Sequence, residues 1–128
     1  AGARYGSDSL GPARFSFYAS PTPGVSMEAI ETALIAEISK LLKEGVTKKE
    51  VERVKKSMMA EAIYARDSLS AGARVLGAAL ASGKTIEDVE SWPHRIAAVT
   101  VDQVNAAAHA VLENQPTVTS LLEGEKRS

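Results

Sequence analysis

Three times between residues 47 and 103 a threonine is followed three positions later by Glu, Asp or Gln: Thr47 and Glu50, Thr85 and Asp88, Thr100 and Gln103. This spacing lets the threonine oxygen accept from the third helical amide while the Glu, Asp or Gln reaches back to the cap amide. Each such unit starts a helix, so most of the chain is committed to helices with fixed beginnings. The first predicted helix lies upstream, from Met27 to Glu44. Ser26 is its N-cap, Glu28 favours the positive end of the dipole, and Gly45 is its stop. Ile30, Leu34, Ile38, Leu41 and Leu42 recur at three- and four-residue steps and give one apolar stripe. The second helix starts at Thr47 and runs to about Arg66 with Val51, Val54, Met58 and Ala62 inward. Lys48, Lys49, Glu52, Arg53, Lys55 and Lys56 fall largely off that stripe, and Glu52 and Lys56 stand in the favourable i,i+4 order. An alanine-rich third helix over about 71–81, carrying Val75, Leu76 and Leu80 and stopped by Gly83, is expected to pack deeply. A short fourth helix follows Thr85, and Trp92-Pro93 is expected to mark a bend and a turn. The last helix starts at Thr100 with Val104, Ala107, Ala108, Val111 and Leu112 inward.

Only the ends of the chain suggest strands. Phe15, Phe17 and Ala19 alternate with Arg14, Ser16, Tyr18 and Ser20, and residues 1–7 offer a partner across the turn residues Asp8-Ser9-Leu10-Gly11-Pro12. Pro21 and Pro23 end that hairpin by removing ladder donors. Beyond Pro116, residues 117–122 read as a final strand. The predicted class is therefore α+β: an antiparallel sheet covered on one face by helices. Residues 1–122 form the structured portion and 123–128 a polar tail. Three strands make a narrow sheet with an open edge, and open edges tend to pair with another chain. A homodimer or swapped contact through that edge is expected.

Composition removes several functions. The 128 residues carry 15 basic and 16 acidic side chains, a net charge of −1 that provides no broad field for nucleic acid. With no cysteine, thiol catalysis, disulfides and iron–sulfur ligation are excluded. No run of about 18 apolar residues exists, so no membrane span is predicted. The chain opens directly on Ala1-Gly2-Ala3-Arg4-Tyr5, and the expectation is a C-terminal piece of a longer polypeptide, with further strands on its N-terminal side.

Catalytic motifs are equally sparse. His94 and His109 stand fifteen residues apart, outside either His-Glu-x-x-His or His-x-x-Glu-His, and read as surface histidines. Gly83-Lys84-Thr85 resembles part of a phosphate loop, but five residues separate Gly77 from Gly83 where that loop needs four; the segment reads as a helix stop followed by a helix cap. No Gly-x-Ser-x-Gly elbow appears. Arg66 and Asp67 read as helix-end residues rather than a site pair. Trp92 reads as a core plug rather than a stacking platform. The basic run from Lys48 to Lys56 is interleaved with Glu50 and Glu52 and lacks aromatics, so it reads as a solvated face.

Several segments in order resemble one family. Phe17-Tyr18-Ala19-Ser20-Pro21-Thr22-Pro23-Gly24-Val25, then Glu37-Ile38, the stretch from Leu41 ending Glu44-Gly45-Val46-Thr47, and Glu50-Val51-Glu52-Arg53-Val54-Lys55 are similar to the C-terminal part of pitrilysin/insulinase-family zinc peptidases. Tyr64-Ala65-Arg66-Asp67-Ser68, Gly77-Ala78-Ala79-Leu80, Trp92 with Arg95-Ile96-Ala97-Ala98-Val99-Thr100, and Asp102-Gln103-Val104 are similar to bacterial members. The similarity runs from about Phe15 to Leu112. It implies a C-terminal portion of the inactive, non-zinc-binding domain, a fragment of a larger two-layer metallopeptidase-like fold. The family's zinc motif lies in another domain, and the two close over an unfolded peptide. An arginine–tyrosine pair that helps hold substrate in some members aligns before Ala1, so Arg4 and Tyr5 do not inherit it.

The resemblance therefore implies no catalytic, cofactor-binding or metal residue in this chain. It implies zinc in the intact metallopeptidase, a hydrolase. The implied partners are a zinc-binding peptidase domain, in the same polypeptide or a companion chain, and a peptide substrate; a periplasmic setting is known among bacterial members. The expected role is to help enclose and hold an extended peptide for hydrolysis elsewhere. The alternative is a structural or assembly subunit of the same fold without peptidase activity. A third reading, an unrelated helical binding module, predicts no sheet pairing at 13–20 or 117–122.

Overall fold

A computed structural model describes residues 1–6, 11–66 and 69–122. Two strands, β1 (Gly2–Gly6) and β2 (Arg14–Tyr18), precede six helices: α1 (Met27–Glu44), α2 (Lys48–Arg66), α3 (Leu69–Ala81), α4 (Ile86–Glu90), α5 (Trp92–Ala98) and α6 (Val101–Leu112). The strands pair antiparallel, with Ala3 opposite Phe17 and Tyr5 opposite Phe15. The α+β class is borne out as a two-stranded sheet with helices.

Helix starts and stops follow the local chemistry closely. The Ser26 hydroxyl accepts from the Ala29 amide at 3.1 Å. At α2, Glu50 accepts from the Thr47 amide at 2.8 Å and from its hydroxyl at 2.7 Å. Reciprocal boxes open α4 and α6: Asp88 accepts from the Thr85 amide at 2.8 Å, and Gln103 from the Thr100 amide at 2.9 Å. The α3 terminus is closed by Lys84 N–H to Ala79 O at 2.9 Å and Gly83 N–H to Leu80 O at 3.1 Å, which satisfies two terminal carbonyls.

Four expectations need correction. Residues 117–122 form no strand: Val118 is 96% and Leu122 92% exposed, and no ladder partner pairs with them among the described residues. Trp92-Pro93 does not lead into an irregular turn; it starts α5, where Pro93 sits in the first turn and its missing N–H forfeits no helical bond. The α3 helix is not deeply packed. Ala79 is buried, but Val75 and Leu80 stay about half exposed, since only one side of the helix meets α2 and α4. On α6 the stripe of lower exposure runs through Val101, Val104, Asn105, Ala108 and Leu112, so Ala107 and Val111 lie outside it. The tail 123–128 and the Arg66–Asp67 pairing fall outside the described residues or side chains.

The helices form a loosely joined layer, α1 against α6, α2 against α3 and α5, and α4 against α3 and α5, while the two strands contact chiefly each other. Val51 and Ala79 are the buried apolar residues among those described. The chain exposes 10729 Å², whereas a compact monomer of 13.5 kDa exposes about 6,500 Å². The chain is therefore far less compact than a closed monomer of its mass.

Two predictions arise from the caps. Replacing Thr100→Ala should cost about 1 kcal/mol, read as a lower urea midpoint at unchanged slope. Glu50 and Asp88 titrate below their ordinary values of 4.5 and 3.8: Glu50 chiefly through the Thr47 hydroxyl and then its amide, Asp88 chiefly through the Thr85 amide and then its hydroxyl. Because the folded state holds the proton less tightly, their stabilisation is complete above those ordinary values and is lost as pH falls through the lower folded ones. A double E50Q/D88N variant should therefore lose less helical circular dichroism than the parent chain between pH 5 and pH 2, on the order of the carboxylate range. An unchanged acid transition would show that these caps do not set it.

Candidate functional site

The alternation read in β2 decides what each face of the hairpin offers. Ala3, Tyr5, Phe15 and Phe17 share one face, and the Phe15 and Phe17 rings meet edge-on with centroids 5.1 Å apart. Tyr5 and Phe15 are tilted at 6.3 Å. The opposite face carries Arg4, Arg14, Ser16 and Tyr18. Tyr18 lies across Gly2, where an added Cβ would come within 2.5 Å of its ring, so a side chain at position 2 would displace the tyrosine. In a two-stranded sheet each strand keeps one outer edge of backbone donors and acceptors.

A second feature lies between α2, α5 and α6. It is an open cavity of about 210 Å³ lined by Val46, Val51, Val54, Met58, Ile96, Val99 and Val104, with Glu50 and Lys55 at its margin. Both charged groups have partners. Glu50 caps its own helix, and the Lys55 ammonium donates to the Ala97 carbonyl at 2.9 Å while pairing with Glu52 at 3.4 Å. Ala97 lies in the last turn of α5, where terminal carbonyls lack helical partners and a cation is favoured. The sequence placed Lys55 on the solvent face and paired Lys56 with Glu52. Instead, the Lys55 side chain is only 16% exposed, its apolar stem on the groove wall and its charge at the helix end. The signal was available: Val51, Lys55, Met58 and Ala62 follow helical spacing more closely than a stripe through Val54, which is half exposed.

Asn105 is the other residue that sequence reading missed. Its Oδ1 accepts from the Val46 amide at 2.8 Å, across 59 residues of sequence. Gly45, with φ +72°, turns the chain out of α1 so that this amide faces α6, and a Cβ there would come within 3.0 Å of the Asn105 amide group. Position 45 thus needs glycine for both its backbone angle and its clearance.

The remaining candidates separate in space. His94 is exposed on α5, and His109 lies on α6 with Nδ1 2.9 Å from Glu113. Gly83-Lys84-Thr85 is divided between the closure of α3 and the cap of α4, so it forms no phosphate loop. Trp92 is half-buried at the start of α5. Among the described residues no group of three His, Asp or Glu could hold a metal ion, and no helix is long and apolar enough to cross a membrane. What the arrangement offers chemically is backbone hydrogen bonding and apolar contact.

Residues 1–58 match the family model of the peptidase M16 inactive domain. No curated protein and no solved structure matches the chain. The match spans the hairpin, α1 and α2 through Met58, and the resemblance read from residues 17–55 is borne out there. The similar segments from Tyr64 onward lie beyond the matched residues.

Removing the Asn105 acceptor should leave a part-buried amide unpaired. Asn105→Ala is expected to destabilise the chain by about 1–3 kcal/mol, whereas Asn105→Asp, which keeps an acceptor, should recover much of the loss. Equal denaturant midpoints for all three proteins would contradict this role.

Proposed function

We propose that this chain is a non-catalytic wall of a peptidase chamber, helping to enclose and hold an extended peptide while a zinc site in another domain or a companion chain hydrolyses it. The observation that carries the reading is an open strand edge within the segment that matches an inactive peptidase domain. Strand addition needs only main-chain donors and acceptors, so it suits a protein that must hold peptides of varied sequence. The β1 edge fits that use: Ala3 and Gly6 are small and leave room for the side chains of an added strand. The zinc-binding partner would supply the polarised water and the Lewis acid, and this chain the orientation of the substrate backbone. The second reading, a structural subunit of the same fold, is favoured by the many exposed large apolar side chains, Tyr64, Ile63 and Ile35 among them.

Two experiments separate these readings. A longer protein containing this chain should cleave peptides and lose that activity with a chelator, while the chain alone should cleave nothing. Zinc-dependent cleavage by the chain itself would overturn the proposal. In a fluorescence anisotropy titration, an extended peptide should bind the 128-residue chain. N-methylating the alternate amides that face β1 should weaken binding at least tenfold, and methylating the intervening amides should have little effect. Equal losses from both sets would argue against strand addition.

A further inference from the structure

The two strands carry two arginines and no carboxylate. Arg4 lies opposite Ser16 and Arg14 opposite Gly6, so the register sets both arginines on one face as diagonal neighbours. Both are exposed, and neither has an ion-pair partner among the described residues. Tyr18 adds a third polar group to this face. Its ring crosses over Gly2, where the phenol oxygen would lie 2.5 Å from an added Cβ, so its hydroxyl is carried from β2 onto β1. Gly6 leaves the other end open. The atom nearest to an added Cβ there is the Arg14 carbonyl oxygen at 3.9 Å, and no side chain stands between Arg14 and the outer edge of β1. The Tyr18 hydroxyl, Arg4 and Arg14 therefore serve three successive same-face positions of β1, namely 2, 4 and 6, which are about 7 Å apart.

That separation is the step between alternate side chains of an added strand. We propose that the β1 edge selects extended peptides carrying carboxylates at three alternate positions, one for the Tyr18 hydroxyl, one for Arg4 and one for Arg14. Guanidinium and phenol groups both donate to a carboxylate. The intervening peptide residues fall beside Ala3 and Tyr5 on the aromatic face, which suits apolar side chains. The occupant is thus an acidic peptide with apolar residues interleaved, chosen by charge complementarity to two arginines that the strands leave unmatched. This inference rests on the strand-addition reading of the β1 edge and names the substrate class that edge takes.

Fluorescence anisotropy of the 128-residue chain with short labelled peptides tests it. Glu-Val-Glu-Val-Glu should bind about fivefold more tightly than Gln-Val-Gln-Val-Gln, on the order of two or three exposed ion pairs, and the gap should shrink as salt rises. Glu-Glu-Glu-Val-Val has the same charge but places at most two carboxylates on one face, and should fall between them. Arg4→Gln with Arg14→Gln should abolish the preference. Arg4→Glu with Arg14→Glu should turn it toward Lys-Val-Lys-Val-Lys, with helical circular dichroism unchanged in both variants. If the glutamate and glutamine peptides bind equally, and both are weakened by N-methylating the amides that face β1, strand addition stands and this selectivity is refuted. Equal binding of the alternate and consecutive glutamate peptides would reduce the effect to general charge attraction and overturn the register. A single-stranded oligonucleotide bound as tightly, with the same dependence on both arginines, would assign the row to phosphates and overturn the proposal. Failure of every peptide to bind would refute both readings.

Discussion

One side-chain amide ties the helical layer together. Asn105 accepts the Val46 N–H, and in doing so links the last helix to the joint between the first two. That joint is a sharp turn through Gly45, whose positive φ directs the following amide toward α6 instead of along α1. The bond is local in space and remote in sequence, and it lies beside the buried Val51. Around this joint, α1 meets α6, and the cavity walled by α2, α5 and α6 acquires its shape. With so little apolar surface buried, a polar tie carries a share of tertiary definition that a large core would otherwise carry.

The molecule is strong in local structure and thin in long-range packing. Its helices start and stop on side-chain and backbone hydrogen bonds that need no tertiary support, at Ser26, Thr47, Thr85, Thr100 and the Gly83 terminus. Isolated helices of this length are marginal in water, and lasting stability comes from covering their apolar faces. Half-exposed Val54, Val75 and Leu80, together with the aromatic face of the hairpin, are faces of this kind. On the proposed function, these faces are the ones another domain would cover. The same incompleteness suits a surface that receives an extended chain, since an unfinished sheet is a template for one more strand.

How much could be read from the residues depended on range. The α1 limits, the start of α2 and the start of α6 were legible because capping is decided within four residues. The hairpin was legible from the alternation of Phe15 and Phe17 and from the turn chemistry before them. The helical nature of 92–98 was missed because proline was read as a breaker, although at a first turn it is harmless. The groove side of Lys55 was missed because charge was taken to mean solvent; a lysine can place its stem on a wall and its ammonium on a helix end. The third strand was expected from composition, but pairing is a relation between two segments, and residues 117–122 have no ladder partner among the described residues.

By itself, then, the order of residues determined where α1, α2, α4 and α6 begin, which hairpin forms, the absence of thiol chemistry, and a likeness to an inactive peptidase domain that the match over 1–58 supports. Each of these depends on contacts within a few positions or on the identity of the residues present. Only the tertiary structure decided that Asn105 holds the α1–α2 joint, that Lys55 closes α5, and that the strand-like C-terminal segment stands unpaired. Those outcomes turn on which groups arrive within about 3 Å of one another, and that proximity is set by helix packing across tens of residues.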